Sequence, residues 1–115
     1  MKIVDVSREF SKVEEYLMTS DKGCRNMKDI EDGEVIPFHG YLIYEDVNSK
    51  GEEVNIMSVL SDNGMVLCTQ SETFKNSIRG MVEAFGNDFS FVKTSGVTKS
   101  DRPYIDCRLD FTSVK

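Results

Sequence analysis

The order of its apolar segments is the feature that most constrains how this chain can fold. Three strand-like segments come first, one amphipathic segment with helical spacing follows, and two more strand-like segments complete the order. Alternation of apolar and polar residues predicts the strands, which cover residues 34–47, 53–60, 65–69, 89–97 and 104–111. A mainly β structure with one or two helices is therefore expected.

The amphipathic segment is predicted to form a helix over residues 71–85. Ser71 is a favourable N-cap, Glu72 suits the first turn, and Gly86 favours an end to the helix. The apolar residues of the segment recur at helical spacing and form one continuous stripe, made of Phe74, Ile78, Met81, Val82 and Phe85. We expect this stripe to plug one end of the β structure.

The first predicted strand is long and is interrupted by Pro37 and Gly40. Glycine inside a strand often marks a bulge or a sharp bend, which allows one strand to pair in two directions. Strand-strand-strand-helix-strand-strand is also the chain order of the OB-fold, a five-stranded Greek-key barrel. The sequence thus predicts an OB-fold-like barrel with its helix between strands 3 and 4.

Residues 1–30 are predicted to form an N-terminal helix and a connecting loop, and residues 31–115 the barrel domain. Ser7 is expected to cap a helix that runs to about Met18. Its apolar positions lie near helical spacing and are Phe10, Val13, Tyr16 and Leu17. This helix is expected to cover either the barrel or a neighbouring subunit, which would make the protein a homo-oligomer.

Length and composition fit one soluble domain of 115 residues. No apolar run approaches the roughly 20 residues needed to cross a bilayer, and the first residues turn to charge too early for a signal peptide. We therefore expect a cytoplasmic protein without membrane association. The three cysteines, Cys24, Cys68 and Cys107, are far apart and predict neither a disulfide framework nor a zinc site. All three are interpreted as reduced thiols.

Catalytic motifs are lacking, because the chain has one histidine, no tryptophan, no glycine-rich phosphate loop and no nucleophile elbow. His39 has no evident partner and is interpreted as structural or exposed. The paired acidic residues lack the alternate spacing of a calcium loop and are interpreted as solvated charges. No catalytic residue, metal or cofactor is expected.

The net charge of −6 is distributed unevenly. Residues 31–62 contain eight acidic residues and one lysine, a net charge of −7, whereas residues 63–115 sum to +1. The C-terminal half can therefore present a local basic surface, although the whole chain is acidic.

Residues 93–104 are the segment best suited to bind a nucleic acid. They offer Lys93, Lys99 and Arg102 to phosphates, and Tyr104 to stack on a base. Strand alternation assigns Tyr104 and Arg108 to the solvent-facing side. A solvated hairpin with an incidental tyrosine explains the same residues, and the choice stays open at this point. Lys50 lies in the turn between the first two predicted strands, which in an OB-fold also flanks the binding cleft.

Two further tyrosines, Tyr41 and Tyr44, lie on opposite faces of the first strand. One of the two is expected in the core and the other exposed for stacking. The bulge at Gly40 resets the alternation, so the sequence leaves open which one is exposed. Tyr41 is taken as a candidate contact.

Several segments resemble the small single-stranded DNA-binding proteins of tailed phages and mobile elements of Gram-positive bacteria. They are residues 32–36, 54–58, 70–75, 95–99 and 102–105. The resemblance covers about residue 30 to the C-terminus. It implies a protein that coats single strands during replication, with contacts at Lys50, Lys93, Lys99, Arg102 and Tyr104. The chain departs from that class in lacking tryptophan and an acidic C-terminal tail.

The sequence therefore predicts a non-enzymatic protein that binds single-stranded DNA with little base preference, and RNA stays open as the ligand. One alternative is a protein-interaction module that uses its acidic surface and binds no nucleic acid. Another is an enzyme subunit or small-ligand binder built around His39, which a buried pocket at that residue would favour.

Overall fold

The computed structural model describes residues 2–20 and 24–114, which form one sheet of seven strands and two α-helices. The strands are β1 (Lys2–Val6), β2 (Cys24–Asn26), β3 (Val35–Val47), β4 (Glu53–Ser61), β5 (Val66–Thr69), β6 (Phe89–Val97) and β7 (Pro103–Leu109). The α-helices are α1 (Lys12–Thr19) and α2 (Glu72–Phe85), and two 3-10 turns cover Met27–Asp29 and Phe111–Ser113. Neither α-helix in these ranges is long and apolar enough to cross a membrane.

The sheet curls into a half-barrel with the strand order β2-β5-β4-β3-β6-β7, and β1 pairs separately with β3. Every pairing is antiparallel except the one between β2 and β5. The mainly β prediction is confirmed, but the prediction of five strands is wrong. Residues 2–6 and 24–26 pair with β3 and β5, so the helix predicted between strands 3 and 4 follows the fifth strand of seven.

β3 pairs in two directions, as its length and its glycine predicted. Residues 35–38 pair with β6, and residues 38–47 pair with β4. The register with β4 shifts between Phe38 and Gly40, where the glycine adopts φ +140°. A Cβ atom at Gly40 would lie 2.8 Å from Cζ of Phe10. Glycine is therefore required here both for the backbone conformation and for the approach of Phe10.

α2 packs against the sheet through the main core. The Ser71 side chain accepts a hydrogen bond from the backbone N–H of Phe74, and Gly86 ends the helix, as predicted. Phe74 and Ile78 are fully buried in the main core, where the Phe74 ring meets Phe91 edge-on at 5.7 Å between centroids. The predicted stripe thus does pack against the sheet, although Phe85 at its end is exposed.

α1 covers the opposite face of the sheet through a different residue from those predicted. Met18 is fully buried in a second cluster with Leu42, Tyr44, Leu60 and Val66. The predicted apolar positions Val13, Tyr16 and Leu17 are exposed instead. The helix begins after Ser11, which forms a capping box with Glu14. Ser7, the predicted cap, instead accepts a hydrogen bond from the backbone N–H of Tyr41.

Candidate nucleic-acid interface

A groove with a volume of about 1190 Å³ lies between three elements of the described structure. Residues 26–32 form one wall, the start of α2 forms the floor, and the hairpin of β6 and β7 forms the other wall. Its lining from the hairpin includes Lys93, Ser95, Gly96, Val97, Pro103 and Tyr104. The candidate segment of residues 93–104 therefore borders an open groove.

Tyr104 lies directly opposite Gly96 in the pairing of β6 with β7, and its side chain covers that glycine. A Cβ atom at Gly96 would lie 2.5 Å from the tyrosine Oη. The residue remains 37% exposed and lines the groove. The predicted alternation holds along β7, because Tyr104 and Arg108 are exposed whereas Cys107 is buried.

Residues 98–102, here called the cationic turn, join the two strands of the hairpin. The backbone N–H of Thr98 donates to the carbonyl of Arg102 at 2.9 Å, and the N–H of Arg102 donates to Oγ1 of Thr98 at 3.1 Å. Lys99 and Arg102 are exposed, and neither has an ion-pair partner within the described part of the chain. Both cations are therefore available to an anionic ligand.

Lys93 is buried, which argues against its predicted role as a phosphate contact. Its side chain lies in the interior beside the groove, and Nζ is 2.8 Å from Oδ1 of Asp32. Ser95 also donates a hydrogen bond to this carboxylate. The bonds from Lys93 and Ser95 hold the pKa of Asp32 below its ordinary value. Lys93 therefore fastens residues 31–34 to the hairpin, and its charge is already neutralised.

Tyr41 lies in the core, so its ring has no exposed face for stacking. It is 5% exposed, and its hydroxyl donates to Oδ2 of Asp5 at 2.9 Å. Burial raises the pKa of this phenol. Tyr44 is buried as well, in the second cluster. The expectation that one of the two tyrosines is exposed is wrong, because α2 covers one face of β3 and α1 covers the other.

Lys50 and Arg108 are exposed but do not line the groove. Lys50 follows the C-terminal end of β3, whereas the N-terminal end of that strand pairs with β6. Tyr104 therefore lines the groove, and the cationic turn lies just before it in the chain without lining the groove itself. Lys50 lies beyond the far end of a thirteen-residue strand.

Sequence reasoning missed the wall formed by residues 26–32. Residues 26–30 of this stretch fall in the predicted connecting loop, although the stretch contains the end of β2 and a 3-10 turn that Asn26 caps. Asn26 and Lys28 line the groove from this side. The Asn26 cap was the available signal, but a three-residue strand carries too little alternation to predict.

The groove itself is more acidic than basic. Its lining contains two lysines, Lys28 and Lys93, and four carboxylates, contributed by Asp29, Glu31, Asp32 and Glu72. Because Lys93 is paired with Asp32, the positive charge near the groove is concentrated in Lys28 and in the cationic turn. A phosphate backbone is therefore favoured along the hairpin edge rather than on the groove floor.

Two further observations concern metal ligands and the single histidine. Among residues 2–20 and 24–114, no group of three or more His, Cys, Asp and Glu side chains is arranged to hold a metal ion. His39 faces Asp62 at 3.7 Å between Nδ1 and Oδ1, and both side chains are largely exposed. A comparison with protein-family models, curated proteins and solved structures found no match.

Proposed function

We propose that this chain is a non-enzymatic, cytoplasmic protein that binds single-stranded DNA along the hairpin of β6 and β7. The observation that carries the proposal is the exposed Tyr104 at the rim of the groove, beside two exposed cations without ion-pair partners among the described residues. An aromatic platform next to phosphate-binding cations is the usual combination in proteins that bind single strands without base preference.

The connectivity of the sheet supports an OB-like interpretation. β3 pairs with both β4 and β6, β4 pairs with β5, and β6 pairs with β7. In an OB-fold the corresponding connections are those of strands 1 to 5, and the loop between the last two strands flanks the ligand cleft. Under this interpretation the cationic turn is that loop, and β1 and β2 are additions to the barrel.

In the proposed complex a base stacks on Tyr104 while Lys99 and Arg102 neutralise neighbouring phosphates. Lys28 on the opposite wall adds a third cation, and it replaces Lys93 in this role because Lys93 is buried. Thr98 and Ser100 are exposed residues of the cationic turn, and their hydroxyl oxygens lie 3.2 Å apart. The Ser100 hydroxyl can bind a phosphate or sugar oxygen. A protein of this kind would coat and protect single strands during replication of a phage or mobile element.

The proposal is tested by fluorescence-anisotropy titration of labelled oligo-dT, oligo-U and a matched duplex at low salt. Preferential binding of oligo-dT over the duplex is expected, because a duplex hides the base faces that Tyr104 would contact. Equal affinity for oligo-U would broaden the ligand to RNA. Absence of binding to all three at low salt would overturn the proposal.

The second candidate is a protein-interaction module, and the carboxylates of the groove favour it. Four of the six charged residues that line the groove are acidic, which suits a basic peptide better than a phosphate backbone. Titration with a fluorescent lysine-rich peptide distinguishes the two candidates. Tight peptide binding without oligo-dT binding would transfer the function to this module.

We also propose that the exposed face of α1 mediates homo-oligomer formation. Val13, Tyr16 and Leu17 are all exposed on one short helix, and apolar side chains grouped in this way often mark an interface. Light scattering after size exclusion would give a mass above that of one 13.0 kDa chain. A monomer at every concentration would contradict the proposal, and the binding hypothesis does not depend on it.

A further inference from the structure

Two cysteines that are far apart in sequence meet at the edge of the sheet. Cys24 pairs with Val66, and Cys68 pairs with Asn26, in the parallel ladder of β2 and β5. The Cys24 thiol lies 2.7 Å from Sγ of Cys68. Both residues are half-buried, so small reagents can approach them.

We propose that Cys24 and Cys68 form a redox-active pair, which closes to a disulfide and fastens β2 to β5. A disulfide has an S–S length of about 2.05 Å, so closure requires the two sulfurs to approach by only about 0.7 Å. The two residues are separated by 44 positions in the chain, and the folded sheet alone brings them together.

The chemistry is thiol–disulfide exchange with a small disulfide such as oxidised glutathione. One cysteine thiolate attacks a glutathione sulfur and expels glutathione thiolate, which leaves a mixed disulfide on the protein. The second thiolate then attacks the protein sulfur of that mixed disulfide and expels the other glutathione. The two cysteines lose two protons and two electrons, and one oxidised glutathione becomes two reduced molecules.

The third cysteine, Cys107, provides an internal reference. It is buried in the main core on β7, and burial together with the Asp106 carboxylate raises its thiol pKa far above the usual range. A buried thiol of high pKa reacts slowly with disulfides, because the thiolate is the nucleophile. Cys107 is therefore expected to remain a thiol under conditions that oxidise the other two.

The cross-link would act on the least anchored strand of the sheet. β2 has three residues and lies at the sheet edge, and Asn26 at its end lines the groove. Closing a long loop restricts the unfolded chain and stabilises the fold. We expect the oxidised protein to melt about 10 °C higher than the reduced protein. This inference is independent of nucleic-acid binding.

The test is equilibration of the full chain with glutathione mixtures of increasing oxidised fraction, followed by acid quenching, alkylation under denaturing conditions and peptide mapping. The expected result is a fall from three alkylated thiols to one, with the peptides that contain Cys24 and Cys68 linked to each other. Cys107→Ser should form the same link, whereas Cys24→Ser and Cys68→Ser should not. Neither of the last two variants should show a difference in Tm between oxidising and reducing buffers.

Three results would overturn the proposal. The first is three alkylated thiols at every glutathione ratio, and the second is a link that includes Cys107 or joins two chains. The third is a mixed glutathione disulfide that persists on Cys24 or Cys68 without exchange. Because the thiol count and the peptide link are read from wild type, the test does not depend on the folding of any variant.

Discussion

Tyr104 has two competing roles at the scale of the single residue. Its side chain covers Gly96 on the neighbouring strand, and an aromatic that shields a strand glycine stabilises a hairpin without any ligand. The same ring is exposed at the rim of the groove. Cross-strand cover contributes about 0.2–1 kcal/mol, whereas a stacked base contributes about 1–3 kcal/mol to binding. Removing the ring therefore separates the two roles.

We predict that Tyr104→Ala weakens oligo-dT binding by about 1–3 kcal/mol and destabilises the fold by no more than about 1 kcal/mol. Phe111→Ala is the matched control, because Phe111 is also an exposed aromatic but does not line the groove. Anisotropy titrations and urea unfolding of both variants provide the measurements. Equal binding by Tyr104→Ala and wild type, with a large loss of stability, would make the ring structural.

The alternation of inward and outward residues along a strand predicts the burial of Lys93 but not its partner Asp32. Lys93 has the same parity along β6 as the core residues Phe89 and Phe91, so the pattern already places it on the inward face. Its partner Asp32 is 61 positions away. Only the fold brings that carboxylate to the buried ammonium, so local sequence could not predict that Asp32 is the partner of Lys93.

The Asp32 carboxylate should also give stability a pH dependence. Its pKa in the folded state is lowered from 3.8 by the bonds from Lys93 and Ser95. The unfolded chain therefore binds a proton at Asp32 more readily than the folded chain does. The stabilisation of the fold by the ionised carboxylate is present above pH 3.8 and is lost as the pH falls through the lower pKa of the folded state. Urea midpoints should fall more between about pH 5 and pH 3 for wild type than for Asp32→Asn.

A paired substitution at neutral pH checks the same contact. Asp32→Asn leaves a buried ammonium without its counter-charge, whereas Lys93→Met replaces the buried stem with an apolar side chain of similar length. We expect Lys93→Met to lie within about 1 kcal/mol of wild type and Asp32→Asn to be the less stable variant. If Lys93→Met were less stable than Asp32→Asn, the ion pair would not be what holds the wall of the groove.

At the scale of elements, β3 depends on the bend at Gly40. The positive φ and the contact with Phe10 together exclude a side chain there. Gly40→Ala should therefore destabilise the protein by about 1–3 kcal/mol, measured by urea unfolding. Gly80→Ala is the control, because a Cβ atom added at Gly80 in α2 would have no other atom within 4 Å, and alanine there should stabilise the helix by up to about 1 kcal/mol. Equal stability of the Gly40→Ala variant and wild type would contradict a required bend.

Elements with a strong periodic pattern of apolar residues were predictable from the sequence, and short elements without one were not. The apolar residues keep a consistent spacing along the whole of each long element, and the bounds of these elements were predicted within a few residues. They are β3, β4, β5, β6, β7 and α2. α1 was predicted with the wrong cap and the wrong buried face, because an eight-residue helix has too few positions to define a stripe. β2 was missed because its three residues are ordered by the parallel pairing with β5.

For the whole molecule, the question is whether a protein of net charge −6 can attract a polyanion. The hairpin edge offers Lys99 and Arg102, and the opposite wall offers Lys28. Each phosphate neutralised on a single strand contributes about −0.7 to the slope of log K against log salt. Three contacts therefore predict a slope of about −2, measured by oligo-dT titrations over a range of NaCl. A slope near zero would exclude these cations as phosphate contacts.

The site was less predictable than the fold. Alternation along β7 correctly oriented Tyr104 and Arg108, and the charges of the cationic turn were evident from the sequence. The burial of Tyr41 was not predicted, because it arises from elements that pack on β3 from distant parts of the chain. The burial of Lys93 agrees with its inward position along β6, but the partner that neutralises its charge, Asp32, is distant in the sequence. The acidic lining of the groove has the same origin, since residues 26–32 reach the hairpin only in the folded state.

The most direct test of the central claim is photocrosslinking with an oligo-dT that carries one bromodeoxyuridine, followed by mass mapping of the modified peptide. The account predicts a crosslink on the hairpin of β6 and β7, with Tyr104 as the principal site and a strong reduction in Tyr104→Ala but not in Phe111→Ala. A crosslink on α1 or near Lys50, or none under conditions in which the oligonucleotide binds, would contradict the proposed binding site.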